Sequence, residues 1–157
     1  MRKRIIRPGQ EMGSEPEGYW LNLEEVAEAE ITSEDPEHPI ENALIPGSSS
    51  GWRAAQPGDQ TIRILFNQPQ KLHRIWIHFL EPDRDRTQQF VLRWSPDRGK
   101  TFQQIVRQQW NFSPHGNHEE IENIYVDLPA VTLLELAITP DLGSQEVYAS
   151  LQELRLG

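Results

Sequence analysis

Cysteine is absent from this 157-residue chain, which removes disulfide frameworks and thiolate chemistry together. No apolar run approaches the ~20 residues that a membrane-spanning helix requires, so no membrane span is expected. No secretory leader is expected either. The basic opening Arg2-Lys3-Arg4-Ile5-Ile6-Arg7 runs into Pro8-Gly9-Gln10-Glu11, not into an apolar core, and the chain is expected to stay in the cytoplasm. Positive charge is scarce: 15 Lys and Arg against 24 Asp and Glu leave a net charge of −9. The basic footprint that phosphate backbones demand is therefore missing, and no nucleic-acid partner is expected. Catalytic signatures are lacking as well. There is no Gly-rich phosphate cradle, no paired HExxH, and no Ser in the strand-turn-helix setting of a nucleophile elbow. Adjacent acids such as Glu24-Glu25 and Glu119-Glu120 follow from an acidic composition alone, so no catalytic residue is assigned and no enzyme is expected.

What the chain does have is punctuation and alternation. Twelve Pro and ten Gly suit many short strands better than long helices. Residues 1–18, rich in Arg, Glu, Gly and Pro, read as an N-terminal arm able to lie against the domain formed by residues 19–157. Ala27, Ala29 and Ile31 alternate with Glu28, Glu30 and Thr32, the period of a strand with one wet face. The same period marks Ile62, Ile64 and Phe66. It marks Ile75, Ile77 and Phe79, with Arg74, Trp76, His78 and Leu80 facing the other way. Phe90, Leu92 and Trp94 repeat it, as do Ile124, Val126 and Leu128, then Leu134, Leu136 and Ile138. Strands are expected at 26–31, 61–66, 72–80, 89–95, 101–110, 121–128, 133–139 and 150–156, with one helical turn at 40–44. Asn67-Gln68-Pro69-Gln70 reads as a turn, as does Pro96-Asp97-Arg98-Gly99-Lys100, where Gly99 can supply a positive φ. Eight strands without intervening helices predict an all-β antiparallel sandwich or barrel.

The order of these landmarks resembles the discoidin, or coagulation factor 5/8 type C, family, related to galactose-binding carbohydrate modules. The likeness runs from Ile31-Thr32-Ser33-Glu34 through Glu41-Asn42-Ala43-Leu44 to Gly51-Trp52, and on through Gln68-Pro69. It is sharpest at Ser95-Pro96-Asp97-Arg98-Gly99-Lys100-Thr101-Phe102, with Phe102 where the family has Trp, and it closes at Leu151-Gln152-Glu153-Leu154. It covers residues 26–157 and implies an eight-stranded antiparallel jelly-roll β-sandwich of galactose-binding-like type, with ligands held by loops at one end. Trp52 would plug the core, and Trp94 reads as core.

The resemblance also implies a structural calcium. Glu153 matches the family's acidic ligand, and Asn42 and Ser48 offer neutral oxygens. However, the family's Asp is replaced by Ile45-Pro46-Gly47, which counts against an ion that wants several hard, charged oxygens. No other cofactor is implied. Carbohydrate recognition needs an aromatic face beside planar polar groups. Segment 110–120 has that composition: Trp110 and Phe112 to stack, and Asn111, His115 and Asn117 to bond hydroxyls. Arg84 stands in a second, charged loop. His115 and His118 read as solvated loop residues. The expected role is a non-catalytic recognition module, with carbohydrate as the ligand class. The alternative is an interaction or assembly domain of a cytoplasmic complex that holds a protein surface and can self-associate. A small hydrolase is the least favoured reading.

Overall fold

The computed structural model describes residues 18–48 and 50–157. The expected N-terminal arm, Gly18 apart, lies outside the described residues. Eight strands are present among them: β1 (Ala27–Ile31), β2 (Trp52–Pro57), β3 (Gln60–Leu80), β4 (Arg86–Ser95), β5 (Gln103–Phe112), β6 (Glu119–Thr139), β7 (Tyr148–Leu151) and β8 (Glu153–Leu156). Two single helical turns, α1 (Leu23–Val26) and α2 (Glu41–Leu44), precede β2. None of these elements is a helix long and apolar enough to cross a membrane. The all-β antiparallel sandwich expected from alternation is the fold observed.

Its construction departs from the eight expected strands in three respects: β2 was not expected, residues 150–156 divide between β7 and β8, and four expected strands merge into two. Residues 61–66 and 72–80 form a single 21-residue strand, β3, and residues 121–128 and 133–139 likewise merge into the 21-residue β6. Asn67-Gln68-Pro69-Gln70 is therefore not a hairpin turn. The β3–β6 register slips between Leu65, Gln70, Leu72 and Arg74. Such bulges bend a strand and carry it from one sheet of a sandwich into the other. The first half of β3 pairs with β1 and the second half of β6, which continues into β4 and β5; its second half pairs with the first half of β6 and with β8. Strands β2 and β7 pair separately.

Between the layers lies one core. Ile62, Ile64, Phe66, Ile75, Ile77, Phe79, Phe90, Leu92, Leu134, Leu136 and Ile138 are all 2% exposed or less. The Phe79 and Phe90 rings meet across it with centroids 5.4 Å apart. Each such side chain contributes about 1.5–3 kcal/mol by leaving water. Trp52 and Trp94 are buried, as expected of core residues, and the Trp52 indole donates to Ser33 O at 3.2 Å. Trp52 can lie there because Gly51 (φ 66) precedes it; a Cβ on Gly51 would sit 2.7 Å from Leu151 O.

Trp76 and His78 face away from Ile75, Ile77 and Phe79, yet they too are buried, at 2% and 4% exposure, in the half of β3 that has β6 and β8 on its two sides. One expectation about faces needs correction. Strand β1 sits at a sheet edge, so its expected inner residue Ala29 is exposed like the flanking glutamates. The turn at Gly99 is as expected, with φ 92, and Arg98 joins it at φ 58. Asp97 staples that turn, accepting from Ser95 Oγ and from the Thr101 amide and hydroxyl; these bonds hold its carboxyl down at about 2.

Candidate binding cleft

The loops 81–85, 113–118 and 140–147 gather at one end of the sandwich. The Glu81 amide donates to His118 O at 2.7 Å, and the Leu142 amide donates to Thr87 O at 2.8 Å. Beneath them a buried guanidinium ties the loops together. Arg86, with its side chain 1% exposed, donates from Nε to Glu81 Oε1 at 2.7 Å. Its Nη1 donates to Gln88 Oε1 and to Pro140 O. Burial lowers its pKa while the Glu81 carboxylate opposes the shift. The second oxygen of Glu81 accepts the Asp83 amide at 3.0 Å, so one carboxylate fixes both ends of the turn.

This network decides the fate of the expected sugar platform. Phe112 is 2% exposed, with the Arg86 guanidinium 4.5 Å from its ring centroid. It therefore offers no face to a ligand, which corrects its assignment as a stacking residue. Trp110 packs half-buried against the core, with its Nε1 sealed from solvent. Asn111 points outward and accepts from Thr87 Oγ1 at 2.8 Å. His115 and Asn117 are exposed at the tip of a loop closed by its own backbone, Ser113 N to Asn117 O and Gly116 N to Ser113 O. The segment thus turns its aromatics inward and its polar groups outward, and the two are not brought together.

Arg84 is placed differently. It lines a hollow with Asp83, Glu146, Ser150, Arg53 and Tyr148, of about 210 Å³. A second hollow, of about 340 Å³, is lined by Asp35, Pro36, Ala54 and Ala55 and shares Arg53 and Tyr148 with the first. Tyr148 is 43% exposed, a large apolar ring left open to solvent. Among the described residues, the side chains of Arg53, Arg84, Asp83 and Glu146 form no hydrogen bond or ion pair. Their polar atoms remain available.

Local structure explains the placement. In the β2–β7 pair Arg53 faces Ser150 and Pro57 faces Tyr148, with a bulge between Arg53 and Pro57 that opens the strand beside Ala54 and Ala55. Arg53 exchanges backbone bonds with Asp35 and His38, fixing that loop as the outer wall. Asp35 accepts the Glu37 amide and lies 3.2 Å from His38 Nδ1, and these contacts lower its pKa, keeping it ionised. Arg53, Tyr148, Asp83 and Glu146 carry no motif in the sequence. The one available signal is that Arg53 follows a buried Trp52 and Tyr148 lies between buried Val147 and Ala149, so alternation turns both outward.

Among the described residues, the side chains expected around calcium bond to one another and to a neighbouring guanidinium. Glu153 Oε2 lies 3.3 Å from Arg155 Nη2, and Arg155 Nη1 donates to Ala43 O and Leu154 O. A buried guanidinium thus takes the oxygens that an ion would want. Asn42 donates to Ser50 Oγ at 2.8 Å, and Ser48 Oγ lies 3.3 Å from the same hydroxyl. Among the described residues no three His, Cys, Asp or Glu side chains group to hold a metal.

Two further titratable groups are buried nearby. Glu120 is fully buried; Gln88 donates to its Oε1 at 3.2 Å, and Oε2 has no hydrogen-bond partner. Burial and the neighbouring Glu122 push its carboxyl up to about 8. His78 Nε2 lies 3.3 Å from Glu119 Oε1 in a geometry that makes no hydrogen bond, and burial lowers its pKa.

No protein-family model matches the chain, and no curated protein sequence matches it. Solved structures do. A family 32 carbohydrate-binding module from Clostridium perfringens NanJ, in complex with galactose, superposes with a TM-score of 0.66 at 14% identity, over 87% of this chain and 96% of that one. A further Clostridium perfringens family 32 module, in complex with GalNAc-β-1,3-galactose, gives 0.65 at 17% identity, over 88% and 99%. A Ruminococcus gnavus fucosidase in complex with fucose gives 0.62 at 9% identity, over 87% of this chain but 26% of that one. The fold is therefore that of the discoidin-like, galactose-binding-like sandwiches.

Proposed function

We propose that the chain is a non-catalytic carbohydrate-binding module whose ligand lies in the Arg53–Tyr148 cleft. The observation that carries this reading is the open Tyr148 ring flanked by Arg53, Arg84, Asp83 and Glu146, whose polar atoms have no described partner. A sugar has an apolar face for such a ring and a rim of hydroxyls for charged planar groups, and hydrogen bonds to charged groups contribute about 1.5–3 kcal/mol. The Arg86–Glu81 network holds the Asp83–Arg84 loop in place before any ligand arrives, which lowers the ordering cost of binding. The likeness of the fold to sugar-bound modules supports the same class.

Catalysis is disfavoured on physical grounds. Glycoside hydrolysis needs a carboxylic acid that keeps its proton near neutral pH and reaches the ligand. Among the described residues the carboxyl pushed up is Glu120, which is sealed from solvent, while Asp35 in the cleft is pushed down. A glycan array with wild type, Tyr148→Ala and Arg53→Ala tests the reading. Binding is expected to fall about tenfold or more in each variant, equivalent to about 1.4 kcal/mol, with melting unchanged. Undiminished binding in both variants would remove the ligand from this cleft.

A further inference from the structure

We infer that the ligand of this cleft is an uncharged saccharide at least two residues long, seated with one residue on each side of the Arg53–Tyr148 ridge. The inference rests on the carbohydrate reading above and specifies its ligand. Two hollows adjoin, and Arg53 and Tyr148 belong to both. Taken singly, the 210 Å³ hollow falls below the roughly 300 Å³ at which ligand pockets begin, and the 340 Å³ hollow barely exceeds it; joined across the ridge they reach that range comfortably. A single sugar ring would leave one hollow to water.

The hollows also differ in chemistry, as successive residues of one ligand would require. The wall of the 340 Å³ hollow is Pro36 and Ala55 beside the buried Ala54, with Asp35 as its one carboxylate, and suits a ring lying on its apolar face. The 210 Å³ hollow is ringed by Asp83, Arg84, Glu146 and Ser150, a set of donors and acceptors for hydroxyls. Tyr148 at the junction can cover the linkage. Charge then sets the class. The Glu81 carboxylate is taken by Arg86, which leaves Asp35, Asp83 and Glu146 against Arg53 and Arg84. A uronate or sialate would add a further negative charge to a cleft already in excess, on a chain of net charge −9. At physiological salt, charges within about 8 Å still repel.

The test uses the full chain on an array in which each terminal sugar is printed as monosaccharide and as disaccharide, in neutral and in uronate form. The best pair is then titrated by calorimetry. The disaccharide is expected to bind about tenfold tighter than its own terminal monosaccharide, and Arg84→Ala to bring that ratio close to one. Equal affinity for monosaccharide and disaccharide, with both lost in Tyr148→Ala, would overturn the two-residue inference and leave the carbohydrate reading standing. Preference for uronates would overturn the uncharged assignment alone. Absence of binding to every glycan would overturn the inference and the reading together.

Discussion

Two neighbouring regions at one end of this sandwich invite opposite conclusions from composition and from structure. Segment 110–120 has the residues of a sugar site, two aromatics among Asn and His. The cleft between β2, β7 and the 81–85 loop has one tyrosine and a handful of charges from four distant stretches. In the first, Phe112 lies under Arg86 and Trp110 packs on the core, so the aromatic surface is already spent on folding. In the second, Tyr148 is open, and the side chains of Arg53, Arg84, Asp83 and Glu146 beside it make no described hydrogen bond or ion pair. What distinguishes a binding surface is therefore not which residues are present but which are left unengaged once the core and the loops are satisfied.

The sharpest way to break the contrast is to remove the group on which both regions rest. Arg86→Ala leaves Glu81 and Pro140 O without their buried cation and uncaps Phe112. Loss of one partner of a buried pair costs about 3–5 kcal/mol, to be read by denaturant unfolding. Sugar binding should weaken in the same variant, because the Asp83–Arg84 loop is no longer fixed. Trp110→Ala separates the two regions. A half-buried tryptophan lost from the core edge should cost about 2–3 kcal/mol, while affinity per folded molecule stays as in wild type. A fall in affinity beyond the unfolded fraction would restore segment 110–120 as the binding surface.

Glu120, at the inner end of that segment, gives a pH-dependent version of the same contrast. In the unfolded chain its carboxyl loses the proton from about pH 4.5, whereas the folded chain holds it to about 8. Folding therefore loses stability as pH rises between those values. Glu120→Gln removes that loss. Its advantage over wild type should be nil below pH 4.5 and reach on the order of 2 kcal/mol by pH 6, at about 1.4 kcal/mol per unit. Unfolding curves at pH 4, 6 and 8 check it; a flat difference would mean that Glu120 titrates normally.

The fold was largely legible, because alternation survives any arrangement of loops. The inward sets on β3, β4 and β6 are those that the pattern names. The two long strands were not legible, since Pro69 and Pro129 look like turn residues. Both lie exposed within strands, and the register slips beside Pro69, where a missing N–H is tolerated. Strand β2 was hidden by its bulge, because alternation lasts only from Trp52 to Ala54 and Ala55, Gln56 and Pro57 are all exposed. The burial of Trp76 and His78 was hidden too, because a local pattern cannot reveal that both faces of a strand are covered. The cleft itself joins residues from the 35–36 loop, β2, the β3–β4 loop, the 140–147 loop and β7. No local window contains them, and of the expected binding residues only Arg84 lies there.

The smallest effect is the most exacting test of the contrast. His115→Ala and Asn117→Ala alter two exposed side chains of a loop whose shape is set by backbone bonds, so each should change stability by less than about 0.5 kcal/mol. Glycan affinity should stay equally unchanged, whereas Tyr148→Ala at the same end of the fold should lose about tenfold. Calorimetric titration of all three variants against one glycan compares them directly. If His115→Ala or Asn117→Ala weakens binding as much as Tyr148→Ala does, the ligand must extend over both regions. The loop polar groups would then serve as the far wall of one site, and the boundary drawn between the regions would disappear.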